Sequence, residues 1–301
     1  MDRLESMSIL VTVAEAGSLS AAARRLATPL ATVSRKISQL EAHLGTKLLN
    51  RSSRRLALTD AGRAYVGACR SILEQVGEAE RAASGEYRAP KGDLIIAAPI
   101  VFGRLHVLPV LIEFLESFPQ IDVRVVLSDR VVNLIEEHVD IAVRIGELPD
   151  SNFFASPVGA IRRVVCASPD YFAGRGIPEG PVDLAAHDCV TFDALMSSKE
   201  WTFGNGKSTL SVPIHSRLTV NTAEAAIDAA IAGIGITRVL SYQVAEPIRA
   251  GALTIVLQEF EPEPWPLSLV YTDRRLLPIK VRAFLDFATP RLEARLSPSL
   301  A

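Results

Sequence analysis

The sequence predicts an α+β protein of several parts: a winged helix-turn-helix head, a long linker helix and an α/β body. Three observations predict it. Residues 17–44 run GSLSAAARRLATPLATVSRKISQLEAHL, a short helix, a turn and a second helix, followed at once by the basic stretch KLLNRSSRRLALT. Residues 59–84 then repeat apolar or small positions at three-and-four spacing without a break. From residue 93 the pattern changes to short apolar strands alternating with helices.

A chain of 301 residues is too long for one small domain and suggests two or three. Apolar content of 49% with 22% charge is ordinary for a soluble globular protein. The start, MDRLESM, carries no apolar leader, and no segment approaches the ~20 apolar residues that span a bilayer. A cytoplasmic protein without membrane contact is expected. Cys69, Cys166 and Cys189 are far apart and read as reduced, buried thiols. The five histidines show no metal-ligand spacing, so no metal and no cofactor is expected. Net charge is −2, but unevenly spread. Residues 1–60 hold nine Lys or Arg against five Asp or Glu, and residues 61–301 hold 23 against 29. A head at +4 on a body at −6 suits a head that meets phosphate.

Residues 4–16 place Met7, Leu10, Val13 and Ala14 on one helical face. Gly17 ends that helix, and Ser18 or Ser20 caps the next, about 20–26, whose Ala21, Ala22 and Ala23 admit a close neighbour. Thr28-Pro29 starts a third helix, Thr as cap and Pro as first helical residue, running to about His43. Val33, Ile37, Leu40 and Leu44 face inward; Thr32, Ser34, Arg35 and Lys36 lie on other faces, toward the turns that reach base edges. Gly45 stops the helix. Leu48, Leu49, Leu56 and Leu58 flank Arg51, Arg54 and Arg55 as a hairpin wing that can grip phosphates. Each basic residue taken alone also reads as a solvated helix or loop position.

Thr59 caps the long helix, where Gly62, Tyr65, Cys69, Ile72, Val76, Ala79 and Ala83 form a heptad seam. It reads as a dimer interface, with packing against the chain's own body as the alternative. GEYRAPKG, 85–92, is a hinge. In the body, strands are expected at 93–98, 122–127, 140–145, 163–167, 189–192, 217–220, 234–237 and 267–272. Helices are expected at 104–118, 131–138, 170–174, 222–232 and 278–295. Such strand–helix–strand order implies parallel layers. Gly233-Ile-Gly235 follows a helix and precedes a strand, the reverse of a phosphate loop, and reads as a tight turn. Trp201 and Trp265 read as packing anchors.

Five stretches carry a resemblance to the LysR-type transcriptional regulators: GSLSAAARRL, TVSRKISQLEAHLGTKLL, RLALTDAG, NTAEAAIDAAIAGIGIT and KVRAFLDF. AAPIVFGRLHVLP and VVNLIEEHVDIAVRIGELPDS resemble a large subgroup with poorly defined effectors. The resemblance covers essentially the whole chain and implies a winged head (1–58), a dimerising linker helix (59–84), a hinge (85–92) and an effector-binding body (93–301). The body would be similar to type 2 periplasmic binding proteins, with lobe I at 93–164 and 271–301 and lobe II at 165–270. It also implies dimers and tetramers on interrupted-palindrome operators in double-stranded DNA, contact with RNA polymerase, often repression of the protein's own gene, and a small-molecule effector of unknown identity.

Carried over by position, the base-reading turn falls on Pro29, Leu30, Ala31, Thr32, Ser34 and Arg35, with Lys36 beside it; Arg51 and Arg54 match wing arginines. Many members have Gln where this chain has Leu30, which offers only apolar contact, for instance to a thymine methyl. In open α/β folds ligands gather at strand C-termini. Pro99, Ile100, Val101, Phe102, Arg144, Gly146, Asn221 and Thr222 therefore line the expected effector pocket. Asn221-Thr222 also reads as a helix cap, Arg144 as a structural ion pair, and Ile100, Val101 and Phe102 as core. An enzyme with a DNA-binding appendage would need a nucleophile–base pair, a carboxylate dyad or a metal cluster, and no such motif is present. A transport-type solute-binding protein would fit the lobes but not the head.

Overall fold

In the computed structural model, which describes residues 2–51, 56–83, 89–148, 153–192, 199–204, 209–272 and 277–296, the head starts from a capped helix. The Asp2 carboxylate accepts from the Glu5 amide and opens α1 (Arg3–Ala16). Ile9, Leu10 and Val13 are buried; Met7 and Ala14 are only half-buried. Gly17, at φ +68°, ends α1, and Ser18 caps α2 (Leu19–Arg25) by accepting from the Ala21 amide. Ala22 and Ala23 are buried where α3 (Leu30–Leu44) crosses.

Two expectations for α3 are corrected. Thr28 is not its cap. Pro29 is extended, at ψ 136°, its carbonyl accepts from Thr32 and Val33, and the Thr28 hydroxyl donates to the Leu26 carbonyl instead. Nor does Leu44 face inward: it is 37% exposed, while Val33, Ile37 and Leu40 are fully buried beside Glu41, which is 3% exposed. Each fully buried aliphatic side chain contributes roughly 1.5–3 kcal/mol.

β1 (Leu49–Arg51) and β2 (Leu56–Leu58) pair antiparallel, Leu49 opposite Leu58. Thr59 caps α4 (Asp60–Ala83), accepting from the Gly62 amide at 2.9 Å. The dimer seam is corrected at its start. Cys69 has no exposed surface, and Tyr65, half-buried, packs with Val66 against the head core. These positions close the chain's own head, the alternative reading of the heptad, and burial pushes the Cys69 thiol up to about 11. Farther along, Ile72 and Ala79 are exposed and Val76 is half-buried.

The chain divides into two compact units, the first built on residues 1–90 and the second on 91–134, 139–274 and 280–301. The second runs β3 (Gly92–Ala98), α5 (Ile100–Phe102), a π turn (Gly103–Val107), α6 (Leu108–Ser117), β4 (Ile121–Leu127), β5 (Ile141–Ile145) and β6 (Phe154–Ile161). It continues with β7 (Arg163–Ala167), α7 (Pro169–Arg175), β8 (Asp188–Phe192), β9 (Glu200–Phe203), β10 (Leu210–Pro213), β11 (His215–Val220), α8 (Ala223–Ile231) and β12 (Ile236–Leu240). It ends with α9 (Ala245–Arg249), β13 (Thr254–Val256), β14 (Trp265–Tyr271) and α10 (Ile279–Leu296). Two five-stranded sheets result, ordered β4-β3-β5-β14-β6 and β11-β8-β12-β7-β13. The sheets are mixed rather than wholly parallel: β3, β4 and β5 are parallel, as are β8, β11 and β12, while β14, β6, β7 and β13 join antiparallel.

The sheets redraw the expected lobe boundaries. β14 lies in the first sheet and all of β7 in the second, so the chain crosses at Arg162 and again between Val256 and Trp265. Arg162 and Glu261, one on each crossing, form a two-pronged ion pair at 2.8 and 2.9 Å. The first body helix begins at Ile100, not 104. Residues 131–138 are turns rather than helix, with His138 at φ +54° and the Val132 carbonyl taken by the Arg144 guanidinium instead of a helix amide. β6 carries Pro157 and is an edge strand, where a missing amide is tolerated. Gly233 turns at φ +77°, and a Cβ on Gly235 would lie 2.4 Å from the Asp188 carbonyl oxygen, so the pair is a close helix-to-strand turn. Trp201 is buried and Trp265 half-buried, each with a guanidinium over its ring, from Arg238 and Arg163. Among the described residues no single helix is long and apolar enough to cross a membrane.

Gly62 makes a sharp test of the head. A Cβ there would lie 2.0 Å from the Leu48 carbonyl oxygen, a backbone atom that cannot swing away. Gly62→Ala is expected to cost the head about 2 kcal/mol or more. A thermal melt followed by circular dichroism would show an early head transition; an unchanged melt would contradict this packing.

Candidate functional site

The face of α3 turned away from the head core is the first candidate. Pro29, Leu30, Ala31 and Arg35 are exposed, Leu30 at 48%; Thr32 and Ser34 are half-buried. Val33, Ile37, Leu40 and Glu41 form the buried face of the helix, and the residues of its first turn lie at its exposed N-terminal end. Lys36 is half-buried and held in an ion pair with Glu5 of α1. A second staple joins three helices: Glu15 of α1 accepts from Arg25 of α2 at 3.1 Å and from Arg70 of α4 at 3.4 Å. The Arg51 backbone lies in β1. Its side chain, and Arg54 and Arg55 entirely, lie outside the described residues.

The link from α3 to the wing was missed by the sequence reading. The Glu41 carboxylate accepts from the Leu48 and Leu49 amides at 2.9 and 3.2 Å and pairs with Lys47 at 3.0 Å. Its backbone carbonyl accepts from Gly45 and Thr46. Burial alone would push this carboxyl up, but Lys47 and the two amides outweigh it, and it ends below the usual carboxylate range. A Glu four residues before a helix-ending glycine, followed by an apolar strand start, is the only local signal.

The second candidate is where the two sheets of the body meet. β3, β4 and β5 end on one edge of the first sheet, and β8, β11 and β12 on one edge of the second. Just past β3, the Phe102 ring stacks on His106 at 4.7 Å. Just past β12, Tyr242 stands edge-on to both, at 5.3 and 5.6 Å. Phe102 and Tyr242 are buried, so this contact joins the C-terminal edges of the two sheets. The Tyr242 phenol is pushed up by burial and then by the field of Asp129, with Glu224 adding to it against a Gln243 hydrogen bond.

The residues expected at the pocket divide between exposed or half-exposed positions and structural ones. Val101 and Phe102 are buried core, the alternative reading for them; Ile100 is 37% exposed and Pro99 half-buried. The Ile100 amide is not open to a ligand, because Asp129 accepts from it at 3.0 Å. Arg144 donates to the Val132 carbonyl, and Gly146, at φ +111°, donates its amide to the Pro266 carbonyl. Thr222 caps α8 by accepting from the Ala225 amide, and Asn221 is exposed beside it. Asp129 and Tyr242 were not foreseen; each lies two residues past a strand end in a different sheet.

Comparison with known proteins matches residues 4–63 to the bacterial regulatory helix-turn-helix proteins of the lysR family, and residues 88–293 to the LysR substrate binding domain. The chain is 33% identical over 290 residues to the transcriptional activator AaeR of Escherichia coli, covering 96% of this chain and 94% of that protein. It is 34% identical over 292 residues to a transcriptional repressor of Pseudomonas aeruginosa, covering 95% and 91%. Its fold is similar to that of CrgA, a LysR-type regulator from Neisseria meningitidis, with a TM-score of 0.61 at 32% identity over 96% of this chain and 98% of that one. The full-length virulence activator AphB of Vibrio cholerae gives 0.60 at 27% identity, over 95% and 98%.

Two histidines give the body a pH response. Burial and then Arg295 hold His106 below the ordinary value of 6.5; burial and then Arg175 do so for His187, against Asp183 and Asp188. The folded chain keeps both neutral while the unfolded chain takes up protons first. Their contribution to stability is therefore complete above about 6.5 and is lost as pH falls through the folded values. The melting temperature of the body should drop on acidification from pH about 7.5 to about 5, and less so in His106→Leu. Parallel pH profiles for the two proteins would contradict this.

Proposed function

The chain belongs to the LysR family of bacterial transcriptional regulators, with a DNA-binding head and an effector-binding body, and from that premise we propose how it acts. The head reads an operator with interrupted dyad symmetry in double-stranded DNA. Two heads are presented by α4 helices paired through Ile72, Val76 and Ala79, and two such dimers form a tetramer that contacts RNA polymerase. The carrying observation is the exposed first turn of α3, with Pro29, Leu30, Ala31 and Arg35 outward above a fully packed inner face. Thr32 and Arg35 read base edges; Leu30 offers apolar contact; Arg51, Arg54 and Arg55 hold phosphate.

The effector is a small molecule bound where the two sheet edges meet, against Pro99, Ile100 and Thr222. Ligands in open α/β folds collect at strand C-termini, and here two such edges face each other across the Phe102–His106–Tyr242 contact. A ligand that prefers one lobe geometry shifts the population toward it, and the dimer arrangement follows. With Asp129 already on the Ile100 amide and Arg144 turned to a carbonyl, the site favours a ligand that is not held by its carboxylate.

Fluorescence anisotropy on the chain's own promoter fragment tests the reading. Affinity should fall steeply with salt as condensed ions are released. Arg51→Ala should weaken all sequences alike, while Thr32→Ala or Arg35→Ala should change preference among single-base operator variants by roughly 1–3 kcal/mol. Equal loss on every sequence from Arg35→Ala and Thr32→Ala would contradict the assignment of the reading turn.

A further inference from the structure

The turn between recognition helix and wing is gripped from both sides. Glu41 collects its amides: Gly45 and Thr46 donate to the backbone carbonyl, Leu48 and Leu49 to the carboxylate. Thr59 serves its carbonyls: the hydroxyl donates to Lys47 at 2.7 Å and the amide to Leu48 at 3.0 Å. The same hydroxyl accepts from Gly62 at the start of α4. One acid on the recognition helix thereby fixes where the first wing strand begins.

The placement of that acid is costly in two ways. It is 3% exposed, and it sits in the last turn of α3, where the helix dipole opposes a negative charge. An apolar residue would suit the core at that position as well as Val33, Ile37 and Leu40 do. What an apolar residue cannot do is accept from Leu48 and Leu49, whose amides precede the antiparallel pairing of Leu49 with Leu58. Lys47, the partner of the carboxylate, is itself exposed at the base of the wing.

We propose that Glu41 is a positioning residue for DNA binding: it sets the wing, and so the phosphate contacts, while base reading stays with the first turn of α3. The proposal rests on the head being the DNA-binding part. Loss of Glu41 lowers affinity through fewer phosphate contacts, so the dependence of affinity on salt becomes shallower while preference among operator variants is kept.

The test uses the full chain carrying Glu41→Leu or Glu41→Gln, with the promoter fragment and its single-base variants, and hydrogen exchange at Leu48 and Leu49. Glu41→Leu should bind about tenfold more weakly at physiological salt, with a shallower slope and faster exchange at both amides. Glu41→Gln, which keeps an acceptor oxygen, should lose only about threefold. Destabilisation alone would not flatten the salt slope of a folded variant. An unchanged slope, or altered base preference, in either folded variant overturns the proposal. If Glu41→Leu fails to fold, Glu41→Gln decides alone, and wild-type affinity and slope in it are the overturning result. Failure of the unsubstituted chain to bind the fragment would instead count against the operator assignment.

Discussion

The head depends on how the short turn 45–49 is satisfied. A chain leaving a helix carries unpaired carbonyls and enters a strand with unpaired amides, and burying either without a partner costs about 1–3 kcal/mol. Here the partners come from fixed points on two helices, Glu41 on α3 and Thr59 at the start of α4. Burying a carboxylate is unfavourable by itself, and three donors, one of them charged, offset it. The consequence is that recognition helix, wing and linker helix share one small polar junction. Gly62 belongs to it as well, since the Leu48 carbonyl occupies the space a side chain would need. Around this junction the apolar core of α1, α2 and α3 supplies stability, and the Glu15 and Lys36 ion pairs add orientation at the surface.

The body works from a different constraint, its topology. The first sheet takes β14 from beyond the whole run of strands that builds the second, so the chain crosses twice between them. The two crossings are tied by the Arg162–Glu261 pair. At the strand ends the Phe102–His106 stack and Tyr242 meet. Phe102 and His106 come from the segment after β3 and Tyr242 from the segment after β12, so the contact joins the two sheets.

Much of this was legible because local signals agree with tertiary demands. Gly17, Ser18 and Gly45 punctuate the head where caps and left-handed residues are needed, and β7 matches its expected span. The misses have physical causes. Glu41 is charged, so helical periodicity could only place it by position, and its partners lie seven and eight residues on. The heptad through Tyr65 and Cys69 is the same pattern whether a partner or the chain's own head covers it. Pro157 hid an edge strand, and a stretch that reads as helix at 131–138 yields its Val132 carbonyl to Arg144. Asp129 and Tyr242 come from other elements, and no spacing in the sequence brings them to Ile100 and Phe102.

The chain is thus a transcriptional regulator whose DNA-binding head is held together by one polar junction and whose effector-binding body is built on two sheets. DNase I footprinting of the purified full chain on its own promoter, with and without a small-molecule fraction of cell extract, tests this most directly. Paired protected half-sites related by a dyad and spaced by whole helical turns are expected, with the protection pattern altered by the fraction. Absence of protection anywhere on the promoter in low-salt buffer, with and without the fraction, would contradict it.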